Sequence, residues 1–201
     1  MSSPETLPTP RRRGRPADVD PERVALLALR HFADHGYEAT TMDDIAQLAG
    51  ISRRTLFRYF PSKSDLVWGG IEPVIERLRS VLDSADPAEP TIDVVHRAIV
   101  RSLAFPPDRL EATRRRLVLI ANDESLIAAG LSRLSVNRDI VSSFVAEREG
   151  LGDASLRAQV LADTLSAAMF SALTWWARHS PDDPRDIVAS ALRDLRDGVT
   201  G

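Results

Sequence analysis

Apolar residues recur along most of this chain at the three-and-four spacing that buries one face of an α-helix. Sustained period-two alternation is missing, and no hairpin turn separates two alternating runs. Ala25, Leu29 and Phe32 follow Asp20-Pro21, an N-cap with proline at the first helical position, and Gly36 supplies a stop. Thr41 with Asp44, and Ser62 with Asp65, have the spacing of capping boxes. Between those caps the pattern predicts a short helix over 41–49, a turn at Gly50-Ile51 and a second short helix from Ser52 to about Phe60-Pro61. A longer helix is predicted from Ser62 to about Ser84, where the stretch Asp86 to Pro90 breaks the chain. Further helices are expected over 91–104, 108–121, 131–148, 155–178 and 185–197, about nine in all. Leu156, Val160, Leu161, Leu165, Met169, Leu173 and Trp176 make one broad apolar stripe. The expected fold class is all-α.

Composition narrows the picture without redirecting it. The chain has 201 residues, 43% of them hydrophobic and 27% charged, which suits an ordinary globular protein with one large or two small domains. Residues 1–18, rich in Pro, Ser, Thr and Arg, read as a flexible arm. A three-helix unit over 19–68 and a helical remainder over 69–201 complete the expected organisation. No apolar run approaches the ~20 residues that span a bilayer, and the N-terminus lacks the apolar core of a secretory signal, so a cytoplasmic protein without membrane contact is expected. Cysteine is absent, which excludes a disulfide framework, a thiol nucleophile and Cys-ligated metals. His31, His35, His96 and His179 lack metal-ligand spacing. Gly150-Leu151-Gly152 lacks the preceding strand of a dinucleotide site. No catalytic triad has local support. Neither an enzyme nor a cofactor is expected.

Charge changes the picture once it is divided along the chain. The formal net charge is −3, yet residues 9–17 carry four arginines and no acid, and residues 52–64 carry Arg53, Arg54, Arg58 and Lys63 and no acid. Basic clusters on a mildly acidic chain point to a local polyanionic partner. The second cluster lies on the last of three short helices joined by a glycine turn, the pattern of a helix-turn-helix. Ile45, Ala46 and Ala49 supply the buried face of its first helix, and Gly50 supplies a turn that a Cβ resists. Ser52 caps the second helix and leaves its positive end available to a phosphate. Leu56 and Phe60 face inward, leaving Arg53, Arg54, Thr55, Phe57, Arg58 and Tyr59 outward. Arginines in the first turn of such a helix are placed to read guanine.

Phe32, Gly36-Tyr37, Thr40-Thr41, Ile45-Ala46, Ala49 to Ser52, Thr55 to Phe60, Ser62-Lys63 and Leu66 together resemble the TetR-type bacterial transcriptional regulators, over residues 20–68. The resemblance implies an all-helical homodimer with an N-terminal DNA-binding domain and a C-terminal domain that binds ligand and dimerises. By it, Thr41, Arg53, Arg54, Thr55, Phe57, Tyr59 and Lys63 face double-stranded DNA on a pseudo-palindromic operator. Phe57 stands where the family usually has Tyr, so its contact is to the backbone by packing alone. Phe57 to Phe60, Val67-Trp68, Arg114 to Ile120 and Phe144 to Arg148 further resemble the mycofactocin-associated regulators. Their acyl-CoA-like ligand-binding domain implies an acyl thioester or another amphipathic effector.

Arg13-Gly14-Arg15-Pro16 is the core of an AT-hook, whose arginines Arg13 and Arg15 enter an A·T minor groove. Candidate ligand residues are Arg115, Phe144, Met169, Trp175 and Trp176. Arg114, Arg115 and Arg116 point in different directions on a helix, so at most one or two enter a pocket. Trp175 and Trp176 diverge by roughly 100°, so one can be core and the other interface. Trp68 and Phe105 read as core. The resulting expectation is a TetR-type regulator, in the commoner mode a repressor released by its effector. Two alternatives differ in class: a ligand-independent architectural DNA-binding protein, and a small-molecule-binding protein with a vestigial helix-turn-helix.

Overall fold

The computed structural model describes residues 19–152 and 155–200, and these form ten α-helices and no strand. The three-helix unit comprises α1 (Pro21–His35), α2 (Met42–Leu48) and α3 (Arg53–Tyr59). After it come α4 (Lys63–Trp68), α5 (Glu72–Asp83), α6 (Thr91–Ser102), α7 (Pro107–Ala121), α8 (Glu124–Arg148), α9 (Leu156–His179) and α10 (Pro184–Thr200). The predicted caps form. Asp20 accepts from the backbone N–H of Glu22 and Arg23, and Thr41 and Asp44 make a reciprocal capping box.

Two boundaries differ from the sequence pattern. The single helix expected from Ser62 to about Ser84 is broken into α4 and α5 at Gly69-Gly70-Ile71, where Gly70 has φ +85° and Pro73 opens the next helix. Helix α8 begins at Glu124, seven residues before the expected start, because Asp123 caps it by accepting from Leu126 N–H. Gly130, one residue before the expected start, is buried inside α8. A Cβ built there would stand 2.0 Å from Cζ2 of Trp68, so the absence of a side chain at 130 makes room for that indole.

Two buried clusters hold the molecule together. One gathers Leu78, Val94, Val95, Val145, Ala162, Leu165, Trp176 and Val188 from α5, α6, α8, α9 and α10. The other gathers Val24, Ala28, Leu29, Phe32, Ile45, Leu56, Leu66 and Trp68 from α1–α4, and adds Ile120 of α7 and Leu126 of α8. The second cluster therefore crosses from the helix-turn-helix into the helices behind it. Trp68 Nε1 donates to the Leu126 carbonyl at 2.9 Å, Arg133 pairs with Asp65, and Arg109 pairs with Glu22. Packing and polar contacts tie the first four helices to α7 and α8.

The apolar stripe of α9 divides. Leu165, Met169, Leu173 and Trp176 are buried, whereas Leu156 is 75% and Val160 53% exposed. No described helix is long and apolar enough to cross a membrane.

Candidate nucleic-acid interface and core cavity

Helix α3 follows the turn through Gly50, whose φ is +65°. Leu56 and Phe60 are buried beneath it and fix its roll. Ser52 Oγ accepts from Thr55 N–H at 3.1 Å and shares a 2.8 Å hydrogen bond with the Thr55 hydroxyl. That network spends the cap on the helix itself. Arg53, Arg54, Phe57 and Arg58 are exposed, and Thr55 and Tyr59 are half-buried.

The outward arginines are not equivalent. Arg53 donates to Asp43 of α2 at 3.1 Å and lies over the Phe57 ring at 5.4 Å. Arg58 donates to the Tyr59 hydroxyl at 3.1 Å and covers its ring at 4.8 Å. Arg54 makes no hydrogen bond or ion pair among the described residues, so nothing competes with an external acceptor for its five donors. Phe57 presents an exposed apolar ring with no hydroxyl, consistent with a packing contact.

Two expected contacts are committed internally. The Thr41 hydroxyl serves the α2 capping box and donates to Asp44 at 2.7 Å, which holds the Asp44 carboxyl below the usual carboxylate range. Lys63 Nζ donates to the carbonyls of Tyr37 (2.8 Å) and Thr40 (3.2 Å) and lies over the Tyr37 ring at 4.1 Å. It joins the loop after α1 to the start of α4, with one N–H left for a phosphate. Burial, with Asp123 and Glu38 nearby, pushes the Tyr37 hydroxyl up to about 12, so that residue is neutral. Arg13 and Arg15 lie outside the described residues.

Of the expected ligand residues the structure brings only Met169 to an internal cavity. Arg115 is exposed and pairs with Glu111 one turn away at 2.8 Å, so it faces solvent. Phe144 lines a shallow surface depression with Arg79, Ile140 and Ser143. Trp175 is half exposed and stacks on His179, while Trp176 is buried and donates to the Asp182 carbonyl at 2.6 Å. Trp176 is thus a packing anchor. It is covered by Arg114, whose guanidinium lies 4.2 Å from the ring centroid and donates to the Trp176 and Ala177 carbonyls. The three successive arginines of α7 diverge as helical geometry requires. Arg114 closes the end of α9 and Arg115 reaches solvent. Arg116 turns into the interior, where Gly70 and Trp68 line the same cavity.

That cavity, about 90 Å³, is walled by α4, α5, α7, α8 and α9. Its polar wall residues include Arg116 and Asn137, neither of which the candidate list held. The signal for Asn137 was present: it sits on the buried stripe of α8 with Gly130, Val141 and Val145, one amide on an otherwise apolar face. Among the described residues no cluster of His, Asp or Glu could hold a metal ion.

An intact helix-turn-helix backed by a larger helical body defines a DNA-binding regulator of the two-part type. A model of the bacterial regulatory proteins of the TetR family matches residues 27–67, and one of the MftR C-terminal domain matches residues 89–200. The chain belongs to the TetR family of transcriptional regulators, with a C-terminal domain of the MftR type. It is 31% identical over 172 residues to the mycofactocin biosynthesis transcriptional regulator MftR of Mycobacterium tuberculosis, covering 86% of this chain and 87% of that one. It is 39% identical over 87 residues to the regulator EthR of Mycolicibacterium smegmatis, covering 41% of this chain and 40% of that one. In fold it is similar to FadR of Thermus thermophilus, a TetR-family repressor solved with lauroyl-CoA (TM-score 0.57, 22% identity, 89% of this chain and 94% of that one). It is likewise similar to the fatty acid degradation regulator FadR of Bacillus halodurans (TM-score 0.62, 16% identity, 90% and 97%).

Proposed function

We propose that this chain is a homodimeric repressor whose α3 reads a pseudo-palindromic operator and which an amphipathic acyl effector, of the acyl-CoA kind, releases. The observation that carries the DNA reading is the outward Arg54, without a partner among the described residues, on a helix whose cap hydroxyl is satisfied and whose inner face is buried. A vestigial motif would have no reason to keep these features together. Two recognition helices in successive major grooves stand about 34–36 Å apart. Leu156, Val160, Ala167, Ser171 and Trp175 lie along one exposed face of α9. A face of that length, apolar at Leu156, Val160, Ala167 and Trp175, supports a second copy of the chain as its cover. The acyl class of effector is supported by lauroyl-CoA bound to the similarly folded Thermus thermophilus regulator. An architectural DNA binder would need neither the cavity nor the second domain.

The test is fluorescence anisotropy with the intergenic DNA beside the gene, over a series of salt concentrations, with and without lauroyl-CoA. Sequence-selective binding that lauroyl-CoA reverses is expected. Selective binding that lauroyl-CoA leaves unchanged would remove the effector from the proposal and keep the regulator. Binding with the same affinity for any duplex would favour the architectural protein.

A further inference from the structure

Helix α2 opens with two adjacent carboxylates, and the structure gives them different work. Asp44 closes the capping box, accepting from the backbone N–H of Thr41 at 2.8 Å and from its hydroxyl at 2.7 Å. Asp43 takes no part in that cap and reaches across to the next helix, where its Oδ2 accepts from Nη1 of Arg53 at 3.1 Å. The pair is not what holds α2 to α3. Ile45, Ala46 and Leu56, all buried, do that, and an ion pair whose side chains are 67% and 60% exposed adds little to stability. Nor does a carboxylate on this face favour DNA as such, because it repels phosphate. Its effect is on the orientation of Arg53. Asp43 holds one side of the guanidinium, and the Phe57 ring centroid lies 5.4 Å from its central carbon, within cation–π reach. Nε and Nη2 of Arg53 make no hydrogen bond among the described residues, so one two-donor edge of the planar fork stays open. An arginine that rotates freely loses rotamer entropy when it binds, and Arg53 has given up part of it beforehand.

We infer that Asp43 is a positioning residue for sequence reading, which presents the Nε–Nη2 edge of Arg53 to O6 and N7 of one guanine in each half-site. Its charge also keeps Arg53 from settling on a phosphate, and it lowers the affinity for any duplex that lacks that guanine. Phe57 supports the same guanidinium from one face. The inference rests on the proposal that α3 reads an operator. It adds a base that is read and a residue, on a different helix, that sets the discrimination.

The test uses the full chain and begins with selection of duplexes from a random pool, so that no operator need be known. Anisotropy on the selected duplex, its single-base-pair substitutions and a random duplex then compares the wild type with R53A, D43A and the double variant. R53A should flatten the preference for guanine at one position of each half-site by about tenfold. D43A should flatten the same position several-fold and leave the others as they are. On the random duplex the two should part, R53A binding more weakly and with a lower salt slope, D43A more tightly. The double variant should discriminate at that position no worse than R53A alone, since Asp43 acts through Arg53. D43A should melt with the wild type. Should it fail to fold, D43N keeps the shape, drops the charge and carries the same test. Weakening of every duplex alike by D43A would overturn the inference. A position flattened by R53A and left intact by D43A would do the same. A uniform loss with R53A would make that residue a phosphate contact and overturn it too. Each of these results leaves the operator reading standing, whereas a selection that enriches no sequence would overturn both.

Discussion

At the scale of single residues, the DNA face is a set of side chains distinguished by what they already hold. Arg53 is tied to Asp43 and Arg58 to Tyr59, while Arg54 makes no hydrogen bond or ion pair among the described residues. R54A should therefore weaken operator binding by about 1–3 kcal/mol, the discrimination a bidentate arginine supplies, and leave binding to random duplex nearly unchanged. Anisotropy on both duplexes checks this, and equal losses would remove Arg54 as a base reader. His96 on α6 makes a separate prediction. Burial, and then Arg196, pull its pKa below 6.5, while Asp93 pulls the other way. The unfolded chain thus binds the proton more readily than the folded one, and stability rises with pH through the window below 6.5. Thermal melting between about pH 5 and 7 should show the melting temperature falling as pH drops below that value. H96Q should flatten the dependence.

At the scale of elements, the most informative contact is the indole of Trp68 against the bare backbone of Gly130. G130A would drive a methyl into the ring, and overpacking of this kind costs about 1–3 kcal/mol. Chemical denaturation should show that loss together with a shifted Trp emission; an unperturbed spectrum would mean the ring has room to yield. The same contact explains a limit of sequence reading. Capping residues act within one turn, so the starts of α1, α2 and α3 were legible from Asp20, Thr41 and Ser52. The need for glycine at 130 was not readable from the sequence, because the ring that imposes it arrives from 62 residues away. Arg115 and Arg116 are equally polar in one dimension; only the roll of α7, set by the burial of Thr113, Leu117 and Ile120, decides which enters the core. Asn137 was the exception, a polar residue on an apolar stripe.

At the scale of the whole molecule, the proposed dimer would make burial of the α9 face and the spacing of the two α3 helices one property. V160E and L156E place charge in the first two turns of that face, where removing it from water on dimerisation carries a large penalty. Sedimentation should show these variants as monomers that retain helicity and lose tight operator binding but keep weak, salt-sensitive contact with DNA. A dimer of unaltered affinity would move the interface elsewhere.

The pairing of Trp68 with Gly130 also bears on how such regulators can be recombined. A helix-turn-helix grafted from a relative would deliver a foreign residue 68 into a socket shaped for an indole. A smaller side chain would leave a void against Leu126, and the coupling between the grafted head and the body would slacken. A body with a side chain at 130 would accept this head only by displacing the indole, at the overpacking cost given above. The two halves of the chain are therefore exchangeable only as matched partners, with the socket and its plug transplanted together.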